Sequence, residues 1–525
     1  MNARKFFPRA VVGAAMVVGS TAYALPPAEY TSGAAPLDVY YGGATATDNL
    51  LENNFLDITG GICAPGTIDI YRVQVANRGN RVTFCRVTAN QVAGFPASDT
   101  TTVPGVETGG TKVAFHKESI GGSSNGVVPL FNQTTLEFFN MTAAGTCTDN
   151  GLKNTGSTTL REYREWISCP DTVEAKVPNG GISDTEPNLS FPTPTQSQLD
   201  KLNSAPGLAV VFGVPVTLKL YKALQQAQGL TVGTDDVANT PSLTRSQIRG
   251  LYTQRITQWS QLRSASNQTL ITIPGVTAPT NAATGGVADD KVFICRRVNS
   301  SGTQASFESY WLQGRCDAKN GSTGALVFAG GQSSTMDTGT TPSLQGFASR
   351  VTPNEGSGDV RTCLNQHDTN GTWAIGVLST EVSSTQLGGF RMVKVDGAAP
   401  NLATVANGDY DFFTENTLNR VKTGLTGEAT GLTLTLLTYL ETNIGKPALI
   451  SLANSGFQGR PWGDGGGLAL ATSAGVTFNN PAQVDGAAGA GTMRANPVNP
   501  QSRSLVGNKT NNCNPPVMVK PSPTP

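Results

Sequence analysis

Val292-Phe293-Ile294-Cys295-Arg296-Arg297-Val298-Asn299-Ser300-Ser301-Gly302-Thr303 decides how the rest of the chain is read. Its four leading apolar residues form a short buried strand. Two arginines and a polar turn follow, and then Phe307, Tyr310 and Trp311 recur at helical spacing. The turn therefore lies on the N-terminus of a helix, where free backbone N–H groups and the positive end of the macrodipole favour an anion. Ser301 and Thr303 supply hydroxyl donors, and Gly302 lets the backbone come close. Arg297 can chelate an oxyanion through two parallel bonds. A capped surface helix with a solvated arginine pair is the plainer reading of the same residues.

Three earlier turns have a related make-up. Residues 37–41 read as a strand that ends in Gly42-Gly43-Ala44-Thr45, and a helix-like stretch over 48–55 follows. This puts Thr45 at a second helix N-terminus, although an ordinary strand–helix corner is the commoner use of such glycines. A strand over 112–119 runs into Gly121-Gly122-Ser123-Ser124-Asn125-Gly126. Residues 122–126 match the nucleophile-elbow pattern G-x-S-x-G, with Ser124 as nucleophile and His367 as its histidine. A Gly-Ser turn facing a ligand accounts for the same residues without a histidine. Ser183-Asp184-Thr185-Glu186-Pro187 closes a third short strand, in a place where an acid usually caps a turn.

Further along, Thr195-Gln196-Ser197-Gln198 and Thr244-Arg245-Ser246-Gln247 are capping boxes that open helices. Residues 208–220 read as one buried strand passing from one unit to another. Residues 372–378, 390–395 and 410–413 are β-like, and residues 432–440 form the strongest late helix.

Arg4, Lys5 and Arg9, an apolar run over 10–22 and Ala22-Tyr23-Ala24 predict a cleaved secretory leader over residues 1–24, with no cysteine following it for a lipid anchor. The mature chain then carries 34 basic residues against 37 acidic ones and lacks a basic run, so nucleic acid is not expected as a partner. The 60 glycines and 31 prolines point to long irregular connections within two or three structural units. Eight cysteines in an exported chain read as disulfides. Pairing of neighbours predicts Cys63–Cys85, Cys147–Cys169, Cys295–Cys316 and Cys363–Cys513. Two histidines and no CxxC argue against a zinc site, and no cofactor is expected.

Four Gly-Ser-Thr turns in this order resemble those of the periplasmic phosphate-binding proteins of ABC transporters. The resemblance implies an α/β, two-lobed type 2 periplasmic-binding-protein fold, each lobe a mixed sheet flanked by helices, with the ligand between the lobes. It places lobe 1 over 25–207, with insertions near 60–110 and 131–180, lobe 2 over 208–409, a return to lobe 1 over 410–495 and a tail over 496–525. By the same resemblance Thr45, Ser123, Asp184, Arg297, Asn299, Ser301, Gly302 and Thr303 make up the ligand site. Asn299 stands where the family has an aspartate that holds the arginine, and it is expected to accept from Arg297. The implied protein is a monomeric, non-enzymatic, periplasmic or secreted binder of a small oxyanion, phosphate foremost, that serves an ABC permease. A secreted hydrolase or phosphatase using Ser124, and a sensory or surface protein that keeps the fold, are the alternatives.

Overall fold

The computed structural model describes residues 25–75, 78–97, 109–312, 315–316, 351–472, 493–504 and 509–519. The expected leader and the end of the tail from Lys520 lie outside them. Two mixed sheets share one long strand, Leu202–Thr217, in which every residue from Gly207 onward is buried. A strand central to a covered sheet needs apolar groups on both faces, and the run Leu208-Ala209-Val210-Val211-Phe212 supplies them.

The first sheet runs Gly467–Leu470, Leu202–Thr217, Phe413–Val421, Gly180–Ser183, Leu37–Gly43, Thr111–Glu118, Arg78–Val87, Asp69–Val75 and Tyr163–Ile167. Gly180–Ser183, Leu37–Gly43 and Thr111–Glu118 are parallel, so their carboxyl ends leave from one edge. The second sheet runs Ser242–Leu243, Phe390–Val395, the end of the shared strand, Ala374–Gly376, Phe293–Arg297 and Val351–Asn354. Its last three strands are also parallel. Asp48–Leu56, Gly431–Ile444 and Pro447–Asn454 pack together beside the first sheet, and Leu218–Ala227 and Ser357–Asn370 pack on the second. The architecture is α/β with two lobes, each a mixed sheet with flanking helices. Among the described residues no helix is long and apolar enough to cross a membrane.

The expected strand over 208–220 differs at both ends. It begins at Leu202 and stops at Thr217, where Leu218–Ala227 turns helical. Leu220, Tyr221 and Leu224 are buried at helical spacing, and that period outweighs the β-like composition. The described residues near 60–110 and part of 131–180 lengthen the first sheet, while Leu136–Phe139 and Val173–Lys176 pair as a separate ribbon. Asp69–Val75 and Arg78–Val87 pair with each other, and Tyr163–Ile167 continues the edge.

Two expected disulfides form, Cys63–Cys85 and Cys147–Cys169. The other two are corrected to Cys295–Cys363 and Cys316–Cys513. Cys295 lies on a strand whose face is covered by the helix carrying Cys363, and their α-carbons are 6.0 Å apart. Proximity across that packed layer, not along the chain, selects the partner. Non-reducing peptide mapping should recover the 295–363 and 316–513 linked peptides. Recovery of 295–316 would contradict the packing of strand on helix.

Candidate functional site

The parallel strands of each sheet deliver their turns to facing edges. In the first lobe Leu37–Gly43 leads to Ala44–Thr47, Thr111–Glu118 to the turn at 121–126, and Gly180–Ser183 to Asp184. In the second, Phe293–Arg297 leads to Ser301 and the helix Gly302–Leu312, and Val351–Asn354 leads to Glu355 and Ser357. Ligands of open α/β sheets gather at such carboxyl ends.

The two sets of turns touch. The Ser124 amide donates to the Ser300 carbonyl at 3.0 Å. A β-carbon built on Gly302 would lie 2.0 Å from Ser123 Oγ and 2.7 Å from Asp184 Cβ, so only a bare backbone fits there. Gly122 meets Ser301 Cα with the same intimacy, at 3.0 Å from its would-be β-carbon. Ser123, Asp184, Ser301 and Gly302 are therefore one cluster drawn from both lobes. Ser123 Oγ accepts from the Asp184 amide at 2.9 Å, and Thr414 Oγ1 donates to the Asp184 carbonyl at 2.7 Å. Thr303 is buried beside Gly302, and half-buried Thr45 occupies the neighbouring turn. That turn is fixed by the Ala44 amide on the Ile182 carbonyl at 2.9 Å.

Two buried polar atoms in this cluster have no hydrogen-bond partner: Asp184 Oδ1 from the first lobe and Ser301 Oγ from the second. Leaving such groups unmet costs roughly 1–3 kcal/mol each. Burial pushes the Asp184 carboxyl up to about 6 against the pull of Arg297. Desolvation first, then the charges of Asp184 and Asp48, also pushes the half-buried Glu381 carboxyl well up.

Arg297 is 1 % exposed, and burial lowers its guanidinium to about 10, opposed by Asp184, Asp359 and Glu355. Its Nε donates to the Asn354 carbonyl at 3.3 Å, one terminal nitrogen to Ser357 Oγ at 3.1 Å and the other to the Glu355 carbonyl at 2.6 Å. Asn299 does not hold it. Asn299 Oδ1 accepts from Arg296 at 3.0 Å instead, which corrects the expected pairing. Successive strand residues face opposite ways, so Arg296 and Arg297 cannot share one partner placed on one side.

Lys117 and Asp48 were not singled out from sequence. Lys117 Nζ is buried under the first glycine turn, donating to the Gly43 carbonyl at 2.9 Å and lying 3.4 Å from Asp48 Oδ1. In sequence it is only a lysine near the end of a strand candidate, and the structure shows that strand buried along nearly its whole length. The hydrolase reading needs Ser124 beside His367, and the two are committed elsewhere. Ser124 Oγ accepts from the Phe191 amide at 3.2 Å, while His367 Nδ1 bonds Thr372 Oγ1 at 2.8 Å and its ring packs on Phe293.

No family model matches the chain, and no curated protein matches its sequence. Among solved structures, the chain is similar to a protein assigned as a phosphate ABC transporter substrate-binding protein from Clostridium perfringens, with bound phosphate, at 13 % identity and a TM-score of 0.38. That match covers 79 % of this chain and 97 % of the other. PstS from Borrelia burgdorferi matches at 11 % identity and a TM-score of 0.31, over 79 % and 97 % of the two chains. An ABC-type phosphate transport receptor from Vibrio cholerae matches at 18 % identity and a TM-score of 0.26, over 50 % and 72 %. Likeness at this level does not decide function.

Gly302→Ala should destabilise the protein by about 1–3 kcal/mol through overpacking against Ser123 and Asp184, as read by urea denaturation. Asp184 also makes stability depend on pH. Its folded pKa is raised above that of the unfolded chain, so its contribution is full below about pH 4 and is lost as pH rises through about 6. Asp184→Asn should remove about 3 kcal/mol of that slope, seen as a flatter profile of stability across pH 4–7.

Proposed function

We propose that the chain is a solute-binding protein that captures a protonated oxyanion, phosphate foremost, between its lobes. The observation that supports this most directly is the unmet pair Asp184 Oδ1 and Ser301 Oγ, which face one cluster from opposite lobes with Arg297 electrostatically coupled to Asp184. A tetrahedral anion with one proton answers both. Its P–OH donates to the carboxylate, and an unprotonated oxygen accepts from the Ser301 hydroxyl and from N–H groups at the start of Gly302–Leu312. Thr45, Ser123, Gly302 and Thr303 are the further contacts in this reading.

Asp184 supplies selectivity. A carboxylate beside an anion repels unless the anion brings a proton to share. Hydrogen phosphate does so at neutral pH and sulfate does not. Arg297 offsets the remaining charge from a side chain already held in place. Export, read from the leader pattern over residues 1–24, and delivery to an ABC permease by a monomer, read from the order of turns along the chain, complete the reading.

Calorimetry at pH 7.5 should show phosphate bound far more tightly than sulfate. The ratio should narrow as pH falls through about 6 and Asp184 takes up its proton. Asp184→Asn should narrow it by roughly tenfold at neutral pH, about 1.4 kcal/mol, while phosphate still binds. Equal affinity of the unaltered protein for both anions at pH 7.5 would refute the selectivity role.

A further inference from the structure

The C-terminal segment is not a loose tail. Val498–Asn499 adds a strand beside Gly467–Leu470 in the first sheet, and Gln501–Ser502 pairs with Val517–Met518. From there the segment is bolted to the first lobe by a buried polar network. Glu415, fully buried, accepts from Ser502 Oγ and from the Arg503 amide at 2.8 Å each, and from Ser504 Oγ. Arg503 Nε donates to the Phe413 carbonyl at 3.2 Å and its Nη2 to the Asp411 carbonyl at 2.5 Å. Asn512 exchanges bonds with the Glu415 backbone at 2.8 and 3.0 Å. Its own amide donates to Glu186 Oε1 at 2.9 Å. Glu186 lies two residues after Asp184, on the same turn.

The next residue, Cys513, is disulfide-bonded to Cys316, which follows the anion-turn helix of the second lobe. Its neighbour Arg315 makes a second tie between the lobes. It donates to the Leu189 carbonyl of the first lobe at 2.7 Å and to the Asn299 carbonyl of the second at 2.8 Å. A continuous set of bonds thus links the Asp184 turn, through Glu186, Asn512 and Cys513, to Cys316, four residues beyond the helix that begins with Gly302.

This disulfide differs from the other three in access. Cys63, Cys85, Cys147, Cys169, Cys295 and Cys363 are all buried, whereas Cys316 and Cys513 are both partly exposed. A soluble dithiol reaches this bond before the rest.

We infer that residues 498–504 and 509–519 form a covalent clasp across the lobes, which restrains their opening and slows exchange of the bound anion until Cys316–Cys513 is reduced. Reduction takes two electrons and two protons from an external dithiol. The S–S bond breaks, two cysteine thiols form, and the dithiol leaves as its own disulfide. The role in exchange rests on the oxyanion reading, whereas the restraint on opening does not.

The test compares the unaltered protein, the Cys316→Ser/Cys513→Ser variant, and a Cys147→Ser/Cys169→Ser control whose bond lies within the first lobe. Small-angle scattering without phosphate should show a larger radius of gyration only for the clasp variant. Release of labelled phosphate should be at least tenfold faster from it than from the unaltered protein, with the control close to the latter. Brief treatment of the unaltered protein with a dithiol, with thiol mapping to confirm that only Cys316 and Cys513 are alkylated, should reproduce both effects without any substitution that could impair folding. Unchanged radius and release rate after selective cleavage would overturn the clasp. Labelling of a different pair first would overturn its selective reduction. If no form binds phosphate, the oxyanion reading fails and the scattering comparison still decides the clasp.

Discussion

One strand buried in two sheets at once governs this molecule. Residues 202–211 are laddered into the first sheet and 214–217 into the second, Phe212 and Gly213 pair with Ser379 and Leu378 between them, and the strand is buried throughout from Gly207 onward. Sliding the lobes along each other would break two ladders and expose that core. The parallel strands on either side then aim their carboxyl ends at one another. The meeting of the two sets of turns is a consequence of that topology more than of any single motif.

The electrostatics of the cluster are close to balanced. Arg297 and Lys117 are buried cations, and Asp184, Asp48 and Glu381 are acids on the same turns or next to them. These groups leave no large positive excess in the cluster. On the proposed oxyanion reading, attraction would come instead from local dipoles, namely the start of Gly302–Leu312, hydroxyls, and backbone N–H groups at strand ends, and discrimination from where each proton lies. Burial is what raises the Asp184 and Glu381 carboxyls there.

Much of this was legible in the chain. The boxes at Thr195 and Thr244 cap the helices they announce, because a cap is a contact three residues long. The strand before Arg296 and the helix after Ser301 follow from two hydrophobic periods meeting at a polar turn. What escaped reading depends on separation. Asn512 meets Glu186 across 326 residues, and no local pattern marks either. Cys316 meets Cys513 across 197. Asn299 was assigned to the wrong arginine because family position was weighed and the alternation of strand side chains was not. Lys117 stands near the end of a strand candidate, and only the depth of the sheet shows what its burial requires.

Arg297 carries one more implication. Each of its terminal nitrogens spends one N–H on the protein, on Ser357 or on the Glu355 carbonyl, and keeps a second. The guanidinium is thus frozen by its own chain before any ligand arrives. A free arginine forfeits about 2 kcal/mol of rotamer entropy when it is immobilised, and here that loss belongs to folding rather than to binding. On the proposed oxyanion reading, a neighbour such as Ser357 would then influence affinity through disorder: loosening it would return to Arg297 a freedom that the ligand has to remove again.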